Sequence, residues 1–175
     1  MAWSQTFRSL MSVIELLLNR RSVRKYRKEQ IPQEILQRIL EAGRYAPSAS
    51  NTQPWHFIVL TDQKIKEQLS HRQWSGFIRD TAFTIVGCAY EGTEYARKWS
   101  RVDTSIALEN MVIAAWGLGI GSCWVGDFDE AEVRILLNVP KDWRIIASIT
   151  FGYPDETPAA PPKKSISEIV SYNKF

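Results

Sequence analysis

The chain is poor in the residue types that most often build metal sites and covalent cross-links. It has only two cysteines and two histidines among its 175 residues. Cys88 and Cys123 each lie in an apolar stretch, which predicts two small buried side chains and not a disulfide framework. His56 and His71 are too few and too far apart in sequence for a typical zinc site. We therefore expect no metal centre.

Long hydrophobic runs are also missing. No stretch approaches the roughly 20 apolar residues that a membrane-spanning helix needs. The early run at residues 16–18 follows Glu15 and precedes the positive charges, which reverses the order found in a secretory signal. The sequence thus predicts no membrane association and a cytoplasmic location.

The nine glycines do not form a phosphate-binding loop. Gly117, Gly119 and Gly121 are spaced somewhat like a dinucleotide fingerprint, but they follow a predicted helix and precede a predicted strand, whereas the fingerprint has the opposite context. We interpret them as helix termination and close packing. Neither a Walker-type loop nor a serine on a hydrolase-type strand–turn–helix elbow is present.

What the chain does contain is enough apolar material for a sizeable core. Hydrophobic residues make up 45% and aromatic residues 11% of the sequence, so global disorder is excluded. The length is that of one domain. We assign residues 1–175 to a single domain that ends in a proline-rich C-terminal arm, residues 158–175. The net charge of +3 is lower than expected for a dedicated nucleic-acid binder.

Hydrophobic periodicity and turn residues predict helices and strands in an irregular order. Helices are predicted from 6 to 19, from 31 to before Pro47, from 61 or 62 to 69, from 103 or 104 to 117 and from 129 to 137, with a short turn of helix at 165–171. Strands are predicted at 55–60, 83–89, 122–125 and 143–151. Residues 70–80 are predicted to be irregular, and 91–101 to be a connection. This mixture predicts an α+β fold with a central mixed sheet flanked by helices.

Positive charge is concentrated in one short segment. Six of the nine residues from 20 to 28, here called the basic cluster, are arginine or lysine, and Ser22 lies among them. Guanidinium groups and a hydroxyl match phosphate geometry, so one interpretation is an anion site. Two others are a solvated basic loop and a nucleic-acid-binding module with Tyr26 as a stacking platform.

A second polar segment precedes the first predicted strand. Residues 46–55 are mostly small and polar, with Pro47 and Pro54 near the two ends. Serine, asparagine and glutamine side chains on a loop that is fixed at both ends offer preset hydrogen-bond donors and acceptors. The alternative interpretation is an ordinary connection.

Four segments stand out by their order and separation. They are RRSVR at 20–24, APS at 46–48 with Asn51, Gln53, Pro54 and Trp55, GSCWVG at 121–126, and GYP at 152–154 with Lys163 and Lys164 ahead of Ile169 and Val170. Together they resemble the nitroreductase family of FMN-dependent oxidoreductases, over residues 11–173. No single motif is decisive, and the order and spacing of all four carry the resemblance.

The resemblance implies a nitroreductase-like α+β sandwich that forms an intertwined homodimer with FMN at the subunit interface. It implies an enzyme that passes electrons from NADH or NADPH to a small acceptor, such as a nitroaromatic compound or a quinone, in a ping-pong cycle. The flavin N5 atom then carries the chemistry and no catalytic side chain is required.

The resemblance also assigns the cofactor contacts. Arg20 and Ser22 are expected to hold the phosphate, Arg21 to lie beside the ribityl chain, and Arg24 to reach the pyrimidine edge of the ring. Lys163 or Lys164 is expected to close the phosphate site. The ring is expected to be lined by Pro47, Ser48, Ala49 and Asn51 from the other subunit, by Gln53 of the same loop, and by Trp124, Val125 and Gly126, with the Gly126 N–H near N5.

One stretch departs from the pattern. Many longer family members carry an Asn–Lys pair that contacts the ring edge, ahead of the second strand, where this chain has RQWSGF at 72–77. We predict that Trp74, Phe77 and Trp99, with Tyr95, shape the acceptor pocket, although packing is an equally good interpretation of these aromatics. Reductive dehalogenation, flavin destruction and flavin storage without turnover remain open, because they use the same FMN motifs.

Overall fold

The computed structural model describes residues 12–175, in which helices surround one sheet. The α-helices are α1 (Val13–Asn19), α2 (Gln33–Arg44), α3 (Gln63–Gln68), α4 (Glu94–Gly117), α5 (Glu130–Leu136) and α6 (Ile166–Ile169), and the strands are β1 (Trp55–Leu60), β2 (Phe83–Tyr90), β3 (Gly121–Val125) and β4 (Trp143–Gly152). Short 3₁₀ helices occur at Ala49–Asn51 and Gly76–Asp80. The α+β class is confirmed. The first part of the helix predicted at 6–19 lies outside the described residues.

The sheet has the strand order β1-β2-β4-β3. All three strand pairings in the described part of the chain are antiparallel. The parallel component of the predicted mixed sheet is therefore limited to an isolated bridge between Ser22 and Ser122. The reason is that Ser22 belongs to an extended segment that meets the edge of β3 at a single residue and does not continue as a strand.

Helix α4 is the central helix and begins earlier than predicted. The prediction of a connection at 91–101 is wrong, because Thr93 caps the helix by accepting a hydrogen bond from the Ala96 N–H at 3.1 Å. The first turns expose most of their side chains, and the side chains that they bury include Ser100, Asp103 and Thr104. A stripe of buried polar residues carries no hydrophobic periodicity, so this part of the helix gave no sequence signal.

Other helix boundaries follow their capping residues as predicted. Asp62 accepts hydrogen bonds from the N–H groups of Lys64 and Ile65 at the start of α3, and Asp129 does the same for Ala131 and Glu132 at the start of α5. A carboxylate at this position satisfies N–H groups that have no partner within the helix. Helix α2 ends at Arg44, ahead of Pro47.

The two faces of the sheet bury separate cores. The face under α2 and α4 is closed by Leu36, Ile39, Phe83, Ile85, Leu108, Met111, Val112, Ala115, Ile120, Ala147, Ile149 and Phe151. The face under α3 and α5 is closed by Leu60, Leu69, Ile78, Val86, Cys88, Val125, Val133, Val139 and Ile145. Both cysteines are buried and unpaired, as predicted. Within residues 12–175, no helix has the length and apolarity needed to cross a bilayer.

Candidate flavin site

The basic cluster is an ordered extended segment attached to the sheet. The Val23 N–H donates to the Ser122 carbonyl of β3 at 2.9 Å, and the Val23 side chain is fully buried. Farther along, the Arg27 N–H donates to the Tyr153 carbonyl and the Asp155 N–H donates to the Lys25 carbonyl, both at 2.9 Å. The backbone of the cluster is thus fixed between β3 and the segment that follows β4.

One residue of the cluster, Arg24, lines a cavity of about 390 Å³. The cavity brings together Arg24, the end of β3 and the irregular segment before β2, and is lined by Arg24, Gln73, Trp74, Phe77, Trp124, Val125 and Gly126 among others. A methyl group added at Gly126 would meet no atom within 4 Å. Open space therefore lies beside the Gly126 backbone, in a cavity that a cation and three aromatic side chains also line.

The segment before β2 is tied to the loop after β3. The Trp74 N–H donates to Asp127 Oδ2 at 2.7 Å, and Arg72 lies 3.2 Å from Asp129 Oδ2. These contacts hold Trp74 and Phe77 against the cavity. Sequence patterns did not indicate Gln73 or Asp127 as site residues, because a single polar residue in an irregular segment has no periodic signal.

Arg20 and Trp124 meet at Glu109 of α4. The Trp124 Nε1–H donates to Glu109 Oε2 at 2.8 Å, and the Arg20 Nε atom lies 3.7 Å from Glu109 Oε1. Nothing in the sequence pattern indicated Glu109. The Arg21 side chain lies elsewhere, since its Nη1 donates to the carbonyls of Leu18 and Arg20 at 3.0 and 2.9 Å and so caps the end of α1.

The polar loop at 47–53 is built by local bonds and by α4. Ser50, Asn51 and Gln53 have positive φ angles, which residues other than glycine rarely adopt. The Ser48 hydroxyl accepts from the Gln53 N–H at 2.9 Å. The carboxylate of buried Asp103 accepts from the Ala49 N–H at 3.2 and 3.3 Å. Neither Pro47 nor the other predicted residues of this loop line the cavity of their own chain.

Three further predicted residues also lie away from that cavity. Lys163 and Lys164 are exposed in the C-terminal arm, and neither makes an ion pair with the described residues. Trp99 is on the outer side of α4, where the Lys98 Nζ atom lies 5.1 Å from its ring centroid.

The thiol next to the site is not ready to act as a nucleophile. Burial raises the pKa of Cys123, and the charge of nearby Arg24 opposes this shift only in part. A thiol with a raised pKa is protonated at neutral pH and reacts slowly. Burial therefore disfavours the thiolate form of Cys123.

The geometry places a cation and aromatic side chains around one cavity next to the anchored basic cluster. Arg20 and Ser22 are next to β3, and Arg24 is one wall of the cavity. The Ser122 hydroxyl is buried and has no hydrogen-bond partner in the described chain. A cation, aromatic side chains and open space beside a glycine are features that a bound polar ring ligand can use.

Comparisons with known proteins identify the family of this chain. A sequence model of the nitroreductase family matches residues 17–82 and 71–153. A candidate NADH dehydrogenase or NAD(P)H nitroreductase of Methanothermobacter thermautotrophicus is 34% identical over 155 residues, covering 86% of this chain and 81% of the relative. The chain belongs to the nitroreductase family.

Two other relatives indicate the range of the family. The structure of an FMN-dependent nitroreductase from Clostridium difficile is 30% identical with a TM-score of 0.82, covering 93% of this chain and 99% of that one. The iodotyrosine deiodinase of Thermotoga neapolitana is 26% identical over 187 aligned positions, covering 92% of this chain and 97% of the relative.

Proposed function

We propose that this protein is an FMN-dependent oxidoreductase that uses NADH or NADPH to reduce small acceptors such as nitroaromatic compounds or quinones in a ping-pong cycle. The observation that carries the proposal is the convergence of Arg24, Trp124 and Gly126 on one cavity beside the anchored basic cluster. FMN, when bound, supplies the redox chemistry by accepting a hydride from the nicotinamide at N5 and giving electrons to the acceptor.

The residues around the cavity fit the two ends of FMN. The phosphate carries close to two negative charges, and Arg20, Ser22 and a lysine of the arm would bind it through charge-assisted hydrogen bonds. Arg24 lines the cavity, where its charge would favour the negatively charged reduced form of the ring. Open space lies on the Cβ side of Gly126, so a ring can approach its backbone closely, and the Gly126 N–H would donate to that ring. Arg21 contributes by ending α1 at the start of the cluster.

The proposal includes a homodimer. The loop at 47–53 and the lysines of the arm are away from the cavity of their own chain, and we assign them to the site of the other subunit. Apolar side chains of α1 and α6 support this assignment because they are exposed, among them Ile14, Leu18, Ile166 and Ile169. Exposed apolar faces of this kind mark interaction surfaces.

Trp74 and Phe77 favour flat aromatic acceptors. Both side chains line the cavity, and Trp74 is largely exposed, so one face of its indole is available for stacking. Reductive dehalogenation of an aromatic substrate is the second candidate, because the chain is similar to an iodotyrosine deiodinase along nearly its whole length. Flavin storage is the third. The cytoplasmic location stays a prediction from the sequence.

The test begins with the purified protein. We expect a yellow protein, or one that gains a bound-flavin spectrum when FMN is added. Anaerobic stopped-flow mixing with NADH or NADPH should bleach the flavin, and a nitroaromatic compound or quinone should restore its colour. Double-reciprocal plots against the reductant at several acceptor concentrations should be parallel, as ping-pong kinetics requires.

Three other outcomes would contradict the proposal or favour a different function. A colourless protein that does not take up FMN contradicts the proposal. A flavoprotein that is not bleached by either nucleotide is a storage protein. Turnover with a halogenated phenol, but not with a nitroaromatic compound or a quinone, favours dehalogenation.

A further inference from the structure

Glu109 connects two elements that carry the candidate site. Its carboxylate accepts from the Trp124 indole on β3 at 2.8 Å through Oε2, and its Oε1 lies 3.7 Å from the Arg20 guanidinium at the start of the basic cluster. The Glu109 side chain is 40% exposed and that of Arg20 is 27% exposed. One carboxylate on α4 thus contacts both Arg20, which is predicted to bind the phosphate, and Trp124, which is predicted to line the ring.

The position of Glu109 on α4 is not explained by core packing. The buried side of the helix is formed by other residues, including Ala107, Leu108, Met111 and Val112. Glu109 lies at the border of that side, where a long side chain reaches both β3 and the cluster. A buried or half-buried indole N–H needs an acceptor, and the carboxylate supplies it.

Resting on the proposed function, we infer that Glu109 is a positioning residue of the FMN site, which orients Arg20 and Trp124 without contacting the cofactor. A guanidinium group has five N–H donors in a fixed plane. Glu109 engages the Nε side of Arg20, and the two terminal nitrogens have no hydrogen-bond partner within residues 12–175. They are the pair that binds a phosphate in the two-point geometry typical of arginine.

Holding the guanidinium in advance lowers the cost of binding. A free arginine side chain loses rotamer freedom when it is fixed on a ligand, and a side chain already held by a carboxylate loses less. The same carboxylate also holds the Trp124 indole, and Trp124 lines the cavity together with Val125 and Gly126.

The negative charge of Glu109 opposes this effect, since it repels a phosphate. The repulsion acts over a longer distance than the contact with Arg20, because the phosphate binds the terminal nitrogens and the carboxylate faces Nε. Both side chains are partly exposed, so water and salt screen the repulsion. We therefore expect orientation to outweigh repulsion.

The experiment compares three variants by titrating FMN and following the quenching of its fluorescence. Glu109→Gln keeps an acceptor for the indole and removes the charge, Glu109→Ala removes both, and Glu94→Gln is a control that removes a charge elsewhere on α4. We expect the FMN Kd to rise about 3-fold to 10-fold for Glu109→Gln and about 10-fold to 30-fold for Glu109→Ala, and less than about 2-fold for the control.

A double-mutant cycle separates positioning from a general structural effect. If Glu109 acts through Arg20, Glu109→Gln has no further effect on the FMN Kd once Arg20 has been replaced by alanine. An additive effect in the Arg20→Ala background, or FMN binding by Glu109→Gln as tight as or tighter than that of the wild type, overturns the inference. Glu109→Gln also decides the matter if Glu109→Ala does not fold.

A readout without FMN tests the bridge itself. In protein labelled with ¹⁵N at the tryptophan indoles, the Trp124 signal is identified by its loss in Trp124→Phe. It should shift more in Glu109→Ala than in Glu109→Gln. An unchanged signal in both variants would show that Glu109 does not contact the Trp124 indole. A wild-type protein that binds no FMN overturns the proposed function together with the inference, whereas normal FMN binding with unaffected variants overturns the inference alone.

Discussion

Arg20 and Lys28 stand at the two ends of the basic cluster and have different surroundings. Arg20 is partly buried against Glu109 and precedes the residues that pair with β3. Lys28 is exposed and makes no ion pair with the described residues. A charged hydrogen bond contributes about 1.5–3 kcal/mol, so Arg20→Ala should raise the FMN Kd by about 10-fold to 150-fold. Lys28→Ala should change it by less than about 2-fold. If a fluorescence titration shows that both variants lose the same amount of FMN affinity, the cluster acts only through its total charge.

Tyr26 connects the basic cluster to the core and makes stability depend on alkaline pH. Its buried hydroxyl donates to the Val23 carbonyl and lies 2.7 Å from Thr150 Oγ1. Burial raises the pKa of Tyr26 well above its usual value near 10. The folded state thus disfavours the phenolate. The protonated Tyr26 contributes to the free energy of unfolding in full below pH 10. This contribution is lost as the pH rises above the pKa that tyrosine has in the unfolded chain.

Tyr26→Phe tests this linkage. At pH 7 the variant should be less stable by about 1–3 kcal/mol, because the Val23 carbonyl and Thr150 lose a buried partner. Between pH 9.5 and 11 its free energy of unfolding should fall less steeply than that of the wild type, measured by urea unfolding. Cys88, whose pKa burial raises to about 11, contributes equally to both proteins. Identical slopes would contradict the assignment to Tyr26.

At the scale of elements, Gly152 marks where β4 and the basic cluster touch. A Cβ atom at Gly152 would lie 2.6 Å from Tyr26 Cδ1 and 2.8 Å from its Cγ. The ring is buried and its hydroxyl is bonded to the Val23 carbonyl and to Thr150, so it cannot move aside easily. Gly152→Ala should therefore lower the free energy of unfolding by about 1–3 kcal/mol. Gly76→Ala is the matched control, since a Cβ there meets nothing within 4 Å. Equal urea midpoints for the two variants would exclude the clash.

The elements also show what sequence patterns can predict. β2 and β4 were predictable because a run of apolar residues that is buried on both faces is a strong local signal. The start of α4 was not predictable, because the side chains that its first turns bury are mostly polar. The bridge between Ser22 and Ser122 joins residues that are 100 positions apart, and no local pattern encodes such a contact.

The residues of the candidate site also fall into those that could be predicted from the sequence and those that could not. The family resemblance identified Arg24, Trp124 and Gly126, which the structure brings to one cavity. Glu109 and Asp103 were not identified. Each is an acidic residue on a long helix, and its role depends on what the fold places opposite it. Such contacts follow from tertiary structure, and a single sequence does not indicate them.

At the scale of the whole molecule, we propose that two chains together complete the site. The polar loop is held by Asp103 at a distance from the cavity, and the lysines of the arm are exposed. Helix α1 ends at the basic cluster and exposes Ile14, Leu17 and Leu18. If a second chain covers this face, it also brings its loop and arm toward the cluster. Association and FMN binding should then be linked, because a ligand bound at an interface stabilises the assembled form.

Leu18→Asp tests that linkage. Light scattering after size exclusion should give the wild type twice the mass of one chain, and Leu18→Asp the mass of one chain with a much higher FMN Kd. The reason is the cost of burying an unpaired carboxylate in an interface. Ile135→Asp is the control, because Ile135 is as exposed as Leu18, at 79% against 71%, but lies on α5. It should remain dimeric and bind FMN normally. A monomeric Leu18→Asp protein with unchanged FMN affinity would place the whole cofactor site within one chain.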